Sequence, residues 1–195
     1  MNLIREAFYF IKRNGLLNIL FHFLEVYIGA LFRPLPGIEG LFLRGIFYRL
    51  LFKRARGNPF IYPSVYIIFS RHISVGRRVA INVNSYLDGR GCISIGDYVM
   101  IGPGCVIVSC EHGYKDLNTP MYKQSIQYKP VVIENDVWIG GNVTIKSGVT
   151  IGSGSIITAG TLVSKDVPPN TVFGGVPGDV IKERKAYSAV EINRL

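Results

Sequence analysis

The chain has 195 residues, 48% of them hydrophobic and 18% charged, enough to bury the core of one domain and too apolar for a disordered chain. Lys and Arg outnumber Asp and Glu 22 to 13 for a formal net charge of +9, yet no nucleic-acid-binding module accompanies the excess, which sets nucleic acid aside as a partner. Cys92, Cys105 and Cys110 form neither a CxxC pair nor an even set, which excludes a disulfide-stapled scaffold and fits small buried side chains in a reducing cytoplasm.

Residues 1–56 hold nine basic and three acidic residues, so most of the charge excess falls here, together with 11 of the chain's 23 aromatics. The run GLLNILFHFLEVYIGALF (15–32) is apolar enough to suggest a membrane. Asn18, His22 and Glu25 interrupt it, however, and such side chains are expensive at a bilayer centre, which argues against a single spanning helix. The same interruptions, and the lack of an A-x-A end, argue against a secretory signal. Pro34 and Pro36 break the segment in two. In GLFLRGIFYRLLFKRAR (40–56), wound at about 100° per residue, Arg49, Lys53 and Arg56 gather on one side. Leu43, Phe47, Leu50, Leu51 and Phe52 spread over the other, with Arg44 and Arg54 intruding. Residues 1–56 are therefore expected to form a hydrophobic, basic helical segment. It either lies in the plane of an anionic membrane surface or packs on a partner subunit.

Residues 57–177 are organised by a period of six. Ile133, Ile139, Ile145, Ile151, Ile157 and Val163 stand six apart without an error. Upstream, the ladder runs through Val75, Ile81 and Leu87, slips by two at GCISIG, and resumes at Ile95, Ile101 and Ile107. Neither a helix nor a plain alternating strand has this period. Six residues per flat side and three sides per turn give an 18-residue coil in which every sixth aliphatic points to the axis and glycines turn the corners. Such coils stack at about 4.8 Å and close their backbone hydrogen bonds on one another. The expected fold is all-β, a parallel β-helix, with residues 178–195 forming a short C-terminal helix or cap.

The period breaks once. Ile107 and Ile133 are 26 residues apart, and VSCEHGYKDLNTPMYKQSIQYKPVV between them carries no ladder. A loop over 109–130 is thus extruded from the wall, with His112 at its root and Pro120 and Pro130 stiffening it. A solenoid tolerates an insertion on its surface, and function commonly sits there.

The motifs ISVG from residue 73, IGDYVMIGPGCVI, the histidine loop, VVIENDVWIGGNVTI, SKDVPPNTVFGGVPG and the closing VIKER together resemble those of the hexapeptide-repeat acyltransferases. They cover a little over half the chain. The resemblance is to the branch holding galactoside and maltose O-acetyltransferases, xenobiotic acetyltransferases and many O-acetyltransferases of bacterial surface polysaccharides. It implies a left-handed parallel β-helix, a homotrimer with its site between neighbouring prisms, and acetyl-CoA as co-substrate. His112 matches the family's general base. An alcohol is a feeble nucleophile at neutral pH, and imidazole, with an ordinary pKa of about 6.5, suits removal of its proton. Glu111, Asp116 and Glu134 are candidates to orient the ring.

On the acceptor side, Asn82 in AINVN matches an asparagine that contacts the sugar in galactoside and maltose enzymes. Asn84 would share its face on an alternating strand, and Asp88 and Arg90 lie close enough along the chain to join a sugar site. On the donor side, Trp138 recurs near the acetyl-CoA channel. Gly140, Gly141, Ala159 and Gly160 leave room for a thin ligand arm, and Ala159 and Lys165 match positions that touch the co-substrate. Lys165, Lys182, Arg184 and Lys185 offer cations to its phosphates. Asp179 stands where relatives often carry a basic residue, which moves phosphate recognition to Lys182 or Arg184, or weakens it. The expected activity is O-acetylation of a sugar in a bacterial surface glycan or its lipid-linked precursor, in the cytoplasm or peripherally at the inner membrane face. The alternatives are a soluble enzyme acetylating an aminosugar or xenobiotic, and a β-helix without this chemistry. Among the latter, a zinc hydratase would need three convergent histidines, and His22 and His72 stand apart from His112 along the chain, so no metal is expected.

Overall fold

The structure, a computed structural model, describes residues 16–185. Its body is a three-sided parallel β-helix. The first face stacks Arg54–Ala55, Ile73–Val75, Ile93–Ile95, Val131–Ile133 and Thr150–Ile151. The second stacks Phe60–Ile61, Ala80–Ile81, Met100–Ile101, Trp138–Ile139, Ile156–Ile157 and Thr171–Gly175. The third stacks Tyr66–Ile68, Tyr86–Asp88, Val106–Val108, Thr144–Ile145 and Leu162–Val163. The six-residue period becomes physical on the second face. Ile61, Ile81, Ile101, Ile139, Ile157 and Phe173 pair in register, each buried on the axis, so one hydrophobic column runs the length of the prism.

Coil length is not uniform. Ser74 pairs with Ser94 and Tyr66 with Tyr86, 20 residues apart, whereas Val132 pairs with Thr150 and Thr144 with Leu162, 18 apart. The 18-residue coil read from the sequence therefore holds in the C-terminal half. The two extra residues of the early coils widen the corner between the third and first faces, and the slip at GCISIG is their trace. Many corners are turned by Asn or Asp in the left-handed region, among them Asn84, Asp136, Asn142 and Asn170, which tolerate it better than most residues.

The N-terminal segment closes the prism. One helix runs from Leu16–Phe23 through a π turn at Leu24–Ile28 to Gly29–Phe32, and a second spans Gly37–Leu51 after the proline break. Tyr48, Leu51 and Phe52 enter the core beneath the first coil. Glu25, only 4% exposed, accepts hydrogen bonds from the Phe69 and Ser70 amides at 2.9 and 2.6 Å. Arg44, fully buried, donates to the carbonyls of Ile61, Leu35 and Phe32. This corrects the helical wheel drawn over 40–56. The helix stops at Leu51, so Lys53 and Arg56 do not share its turn, and the intruding Arg44 marks the inward face because backbone carbonyls await it there. Residues Arg54 and Ala55 already pair with Ser74 and Val75, so the β-helix starts three residues before 57.

At the other end, Gly178–Glu183 is a strand, not the expected helix. It pairs antiparallel with Thr171–Gly175 and covers the exposed hydrogen-bonding edge of the last coil, a use that the adjacent β-branched Val180 and Ile181 favour. The remainder of the expected helix, 186–195, lies outside the described residues, as does the start of the N-terminal segment, 1–15.

Candidate active site

The interruption of the ladder is a β-hairpin. Cys110–His112 pairs antiparallel with Ile126–Tyr128, and the Gly113 amide continues the ladder to Ser125 at 3.0 Å. Its neck is closed by the Lys129 amide on the Ser109 carbonyl at 2.9 Å, and it is sewn to the coil below by the Ser109 hydroxyl, which donates to the Asp88 carbonyl and accepts from the Gly91 amide. Gly91 must be glycine, because a Cβ there would strike the Ser109 carbonyl oxygen and the Lys129 amide. A charged clamp adds to the neck: Glu111 receives Lys129 Nζ at 3.1 Å and faces Lys146 Nζ at 3.5 Å. The sequence reading missed both lysines. Its available signal was opposite charge at the two ends of the unladdered stretch, Glu111 and Lys129.

His112 stands opposite Ile126 on this hairpin with its imidazole exposed. None of the three carboxylates proposed to orient it does so. Glu111 is held by the lysines, Asp116 accepts the Asn118 amide in a local turn, and Glu134 accepts the Ser153 amide and hydroxyl. Burial, reinforced by the charge of Asp88, pushes the pKa of the neighbouring Cys110 thiol up, which disfavours its thiolate form.

The clamp is pH-sensitive. The Lys129 hydrogen bond, aided by Lys146, holds the Glu111 carboxyl below the usual carboxylate range. A carboxyl depressed in the folded state contributes stability that is fully present above its ordinary value of about 4.3 and is lost as pH falls through the depressed value. Proteolytic nicking of the 109–130 loop should accordingly rise below about pH 4, and Glu111→Gln should raise it at neutral pH. Equal nicking rates in wild type and Glu111→Gln at neutral pH would remove the clamp.

The other candidates fall on different edges of the prism. Asp88 and Arg90 share the edge of the hairpin, paired at 3.6 Å, one coil below it. Lys165 lies on the same edge two coils further on, its ammonium 2.9 Å from Asp179. Asn82 and Asn84 lie past the end of the strand Ala80–Ile81, on the edge between the second and third faces, which corrects the expectation of an alternating strand. Asn82 Oδ1 already accepts the Val83 amide. Gly140, Gly141, Ala159 and Gly160 occupy that same edge. A Cβ on Gly140 would collide with the backbone of Ala159 in the next coil, so coil stacking demands this glycine, while Gly160 at φ +72° borders open space. Trp138 is half-exposed on the second face. Arg184 has turned to the remaining edge, bound to Asp136 and the Gly154 carbonyl, which leaves Lys182 on the closing strand and Lys185 just beyond it as the predicted phosphate-binding cations without a carboxylate partner among the described residues. Among the described residues no three His, Cys, Asp or Glu side chains converge as a metal site; His22 and His72 instead each stack on Phe69.

Comparison with known proteins adds to this geometry. Residues 130–165 match the family model described as bacterial transferase hexapeptide (six repeats). The chain is 37% identical over 134 residues to the galactoside O-acetyltransferase of Escherichia coli, covering 68% of this chain and 64% of that protein. It is 48% identical over 115 residues to the sophorolipid acetyltransferase of Starmerella bombicola, covering 58% of this chain and 43% of that one. The matches thus span about half to two thirds of these curated relatives. Among solved structures, a hexapeptide-repeat acetyltransferase of Vibrio cholerae, complexed with acetyl-CoA, superposes with a TM-score of 0.77 at 32% identity, covering 88% of this chain and 91% of the other.

Proposed function

We propose, from the premise that this chain belongs to the hexapeptide-repeat acetyltransferases, that it transfers an acetyl group from acetyl-CoA to a sugar hydroxyl with His112 as general base. The observation that carries the reading is the exposed imidazole of His112, without a hydrogen-bond partner among the described residues, on an anchored hairpin at the break in the coil, in a chain so similar to an acetyl-CoA-bound relative. In the proposed step His112 takes the hydroxyl proton as the sugar oxygen attacks the thioester carbonyl. The tetrahedral intermediate then expels the thiolate, and His112 returns the proton to its sulfur. No protein nucleophile is needed, in keeping with the raised Cys110 thiol pKa.

We propose a homotrimer as the working assembly, a reading that the arrangement of the prism's edges supports. His112 is on one edge and the Gly140, Gly141, Ala159 and Gly160 column is on another, with the third face between them. A threefold rotation is the simplest operation that sets the hairpin edge of one copy against the glycine edge of the next, with Asn82 and Asn84 beside it for the acceptor and Trp138 and Lys182 for the donor. Lys165 and Arg184 would have to leave Asp179 and Asp136 to meet phosphates, so Lys182 and Lys185 take the larger share.

The acceptor we propose is a sugar of a bacterial surface glycan or its lipid-linked precursor, modified at the inner face of the cell membrane. The match to a relative named for a sophorolipid supports an amphiphilic sugar acceptor. Among the described residues no helix is long and apolar enough to cross a membrane. Incubating the protein with acetyl-CoA and a panel of lipid-linked glycans, galactosides, maltose and aminosugars, and following thiol release, tests this. Release should depend on a glycan and leave a base-labile ester. Release with amines alone, or a base-stable amide product, would replace the proposal with acetylation of a small amine.

A further inference from the structure

The two N-terminal helices are amphipathic in the inverse of the usual sense. Their buried charges, Glu25 and Arg44, face the first coil, while the opposite faces are mainly apolar, with Glu39 and Arg49 among the apolar side chains of the second helix. On Gly37–Leu51 the outward stripe is Ile38, Phe42, Ile46 and Leu50, four-residue steps along one side, with Ile38 and Leu50 81% and 78% exposed. On the partner helix Leu20, Tyr27 and Leu31 likewise point away from the prism. An apolar plate therefore covers the first-coil end of the molecule.

Beside the plate stands a belt of exposed cations. Arg49 sits in the outward face, Lys53, Arg54 and Arg56 follow the helix end, and Arg77 and Arg78 turn the corner one coil above, about 5 Å along the axis. Against these six stand, among the described residues, Glu39 on the helix and Asp97, which Arg56 and Arg77 flank at 3.5 and 3.0 Å. Two copies meeting plate to plate would bring like-charged belts together. An anionic lipid surface satisfies both features, its acyl boundary accepting the stripe and its headgroups attracting the belt, most strongly Arg49 and Lys53 in and next to the helix layer.

We infer that this plate is the docking face for an anionic bilayer, with the prism axis standing upright on it. The inference gives the membrane location proposed above a specific surface, and it does not depend on the acetyl-transfer chemistry. It also sets the acceptor's reach. Ser109, at the hairpin root, is two coils above the first, about 10 Å, and the helix layer adds about 10 Å more. The hydroxyl to be acetylated is thus borne on a glycan extended off the bilayer, not on the lipid headgroup itself.

Sedimentation of the full chain with phosphatidylcholine vesicles, with and without phosphatidylglycerol, tests the docking. Binding is expected only with phosphatidylglycerol and should fade with salt. It should fall about tenfold or more in a Phe42→Ser, Leu50→Ser variant and, separately, in an Arg77→Glu, Arg78→Glu variant that leaves the stripe intact. Light-scattering mass should be the same in all three proteins. No binding to the anionic vesicles, or salt-independent binding to both kinds, would overturn the inference. So would a reduced mass in the Phe42→Ser, Leu50→Ser variant, which would make the plate an interface between copies. Thiol release with a soluble sugar acceptor, measured in the same proteins, separates the two readings, because docking variants should keep it and its absence from wild type would count against the chemistry alone.

Discussion

His112→Ala should lower acetyl transfer by about 10²–10⁴-fold, the usual worth of a positioned general base, while leaving the affinity for acetyl-CoA close to wild type. The imidazole makes no structural bond among the described residues, so its removal costs the fold little. The hairpin is held by its own ladder, by the Ser109 and Lys129 neck and by the Glu111 clamp. The loss should fall on kcat, because the proton is taken only as the carbon–oxygen bond forms. It should also abolish the acid limb of the rate–pH profile that a general-base imidazole imposes. Steady-state kinetics by thiol release, with coenzyme A affinity measured by calorimetry, checks both halves. Turnover within threefold of wild type would take His112 out of the mechanism, and an equal loss of affinity for coenzyme A would make it a binding residue.

What the sequence disclosed and what it hid divide along a physical line. Ile139, Ile145 and Ile151 are legible because a residue facing the axis must be aliphatic at every sixth place, whatever its neighbours do. The hairpin that carries His112 is legible for the converse reason: it lies in the stretch released from that requirement. Arg44 was misjudged because a helical wheel scores side chains by polarity and ignores carbonyls at the end of a turn. Only the folded chain brings the oxygens of Phe32, Leu35 and Ile61 to its guanidinium. The carboxylates Glu111, Asp116 and Glu134 were grouped by proximity along the chain, yet their partners are cross-coil or local, and none is His112. Likewise Asn82 and Asn84 read as strand residues, since the pattern AINVN alternates. The strand ends at Ile81, and the left-handed Asn84 turns the corner. The strand Gly178–Glu183 was hidden because pairing with the last coil, a long-range event, overrides the local pattern.

Arg44→Ala should destabilise the protein by about 3 kcal/mol or more, a drop in Tm of roughly 6–12 °C for a chain of this size. The residue is fully buried, and three carbonyls depend on it: Ile61 on the first coil, and Phe32 and Leu35 in the turn between the helices. Truncation leaves all three acceptors without their donor and opens a cavity under Tyr48 and Leu51, whereas a solvent-exposed arginine would be worth almost nothing. Burial drives the arginine's pKa down, and among the described residues no carboxylate pairs with it to oppose this, so these bonds carry the compensation for burying the charge. Arg44→Met should restore the packing but not the bonds and recover less than half of the loss. Arg44→Lys, lacking the planar fork, should satisfy fewer of the three acceptors and fall between. The damage should be local at first. In hydrogen exchange, amides of the first coil such as Tyr62 and Tyr66 should lose protection before those of Trp138 or Thr144, since each coil of a solenoid leans on its neighbours and the cap holds the first. A thermal melt unchanged in Arg44→Ala would mean that water replaces the guanidinium at no cost, and the helices would then be an appendage and not the closure of the prism.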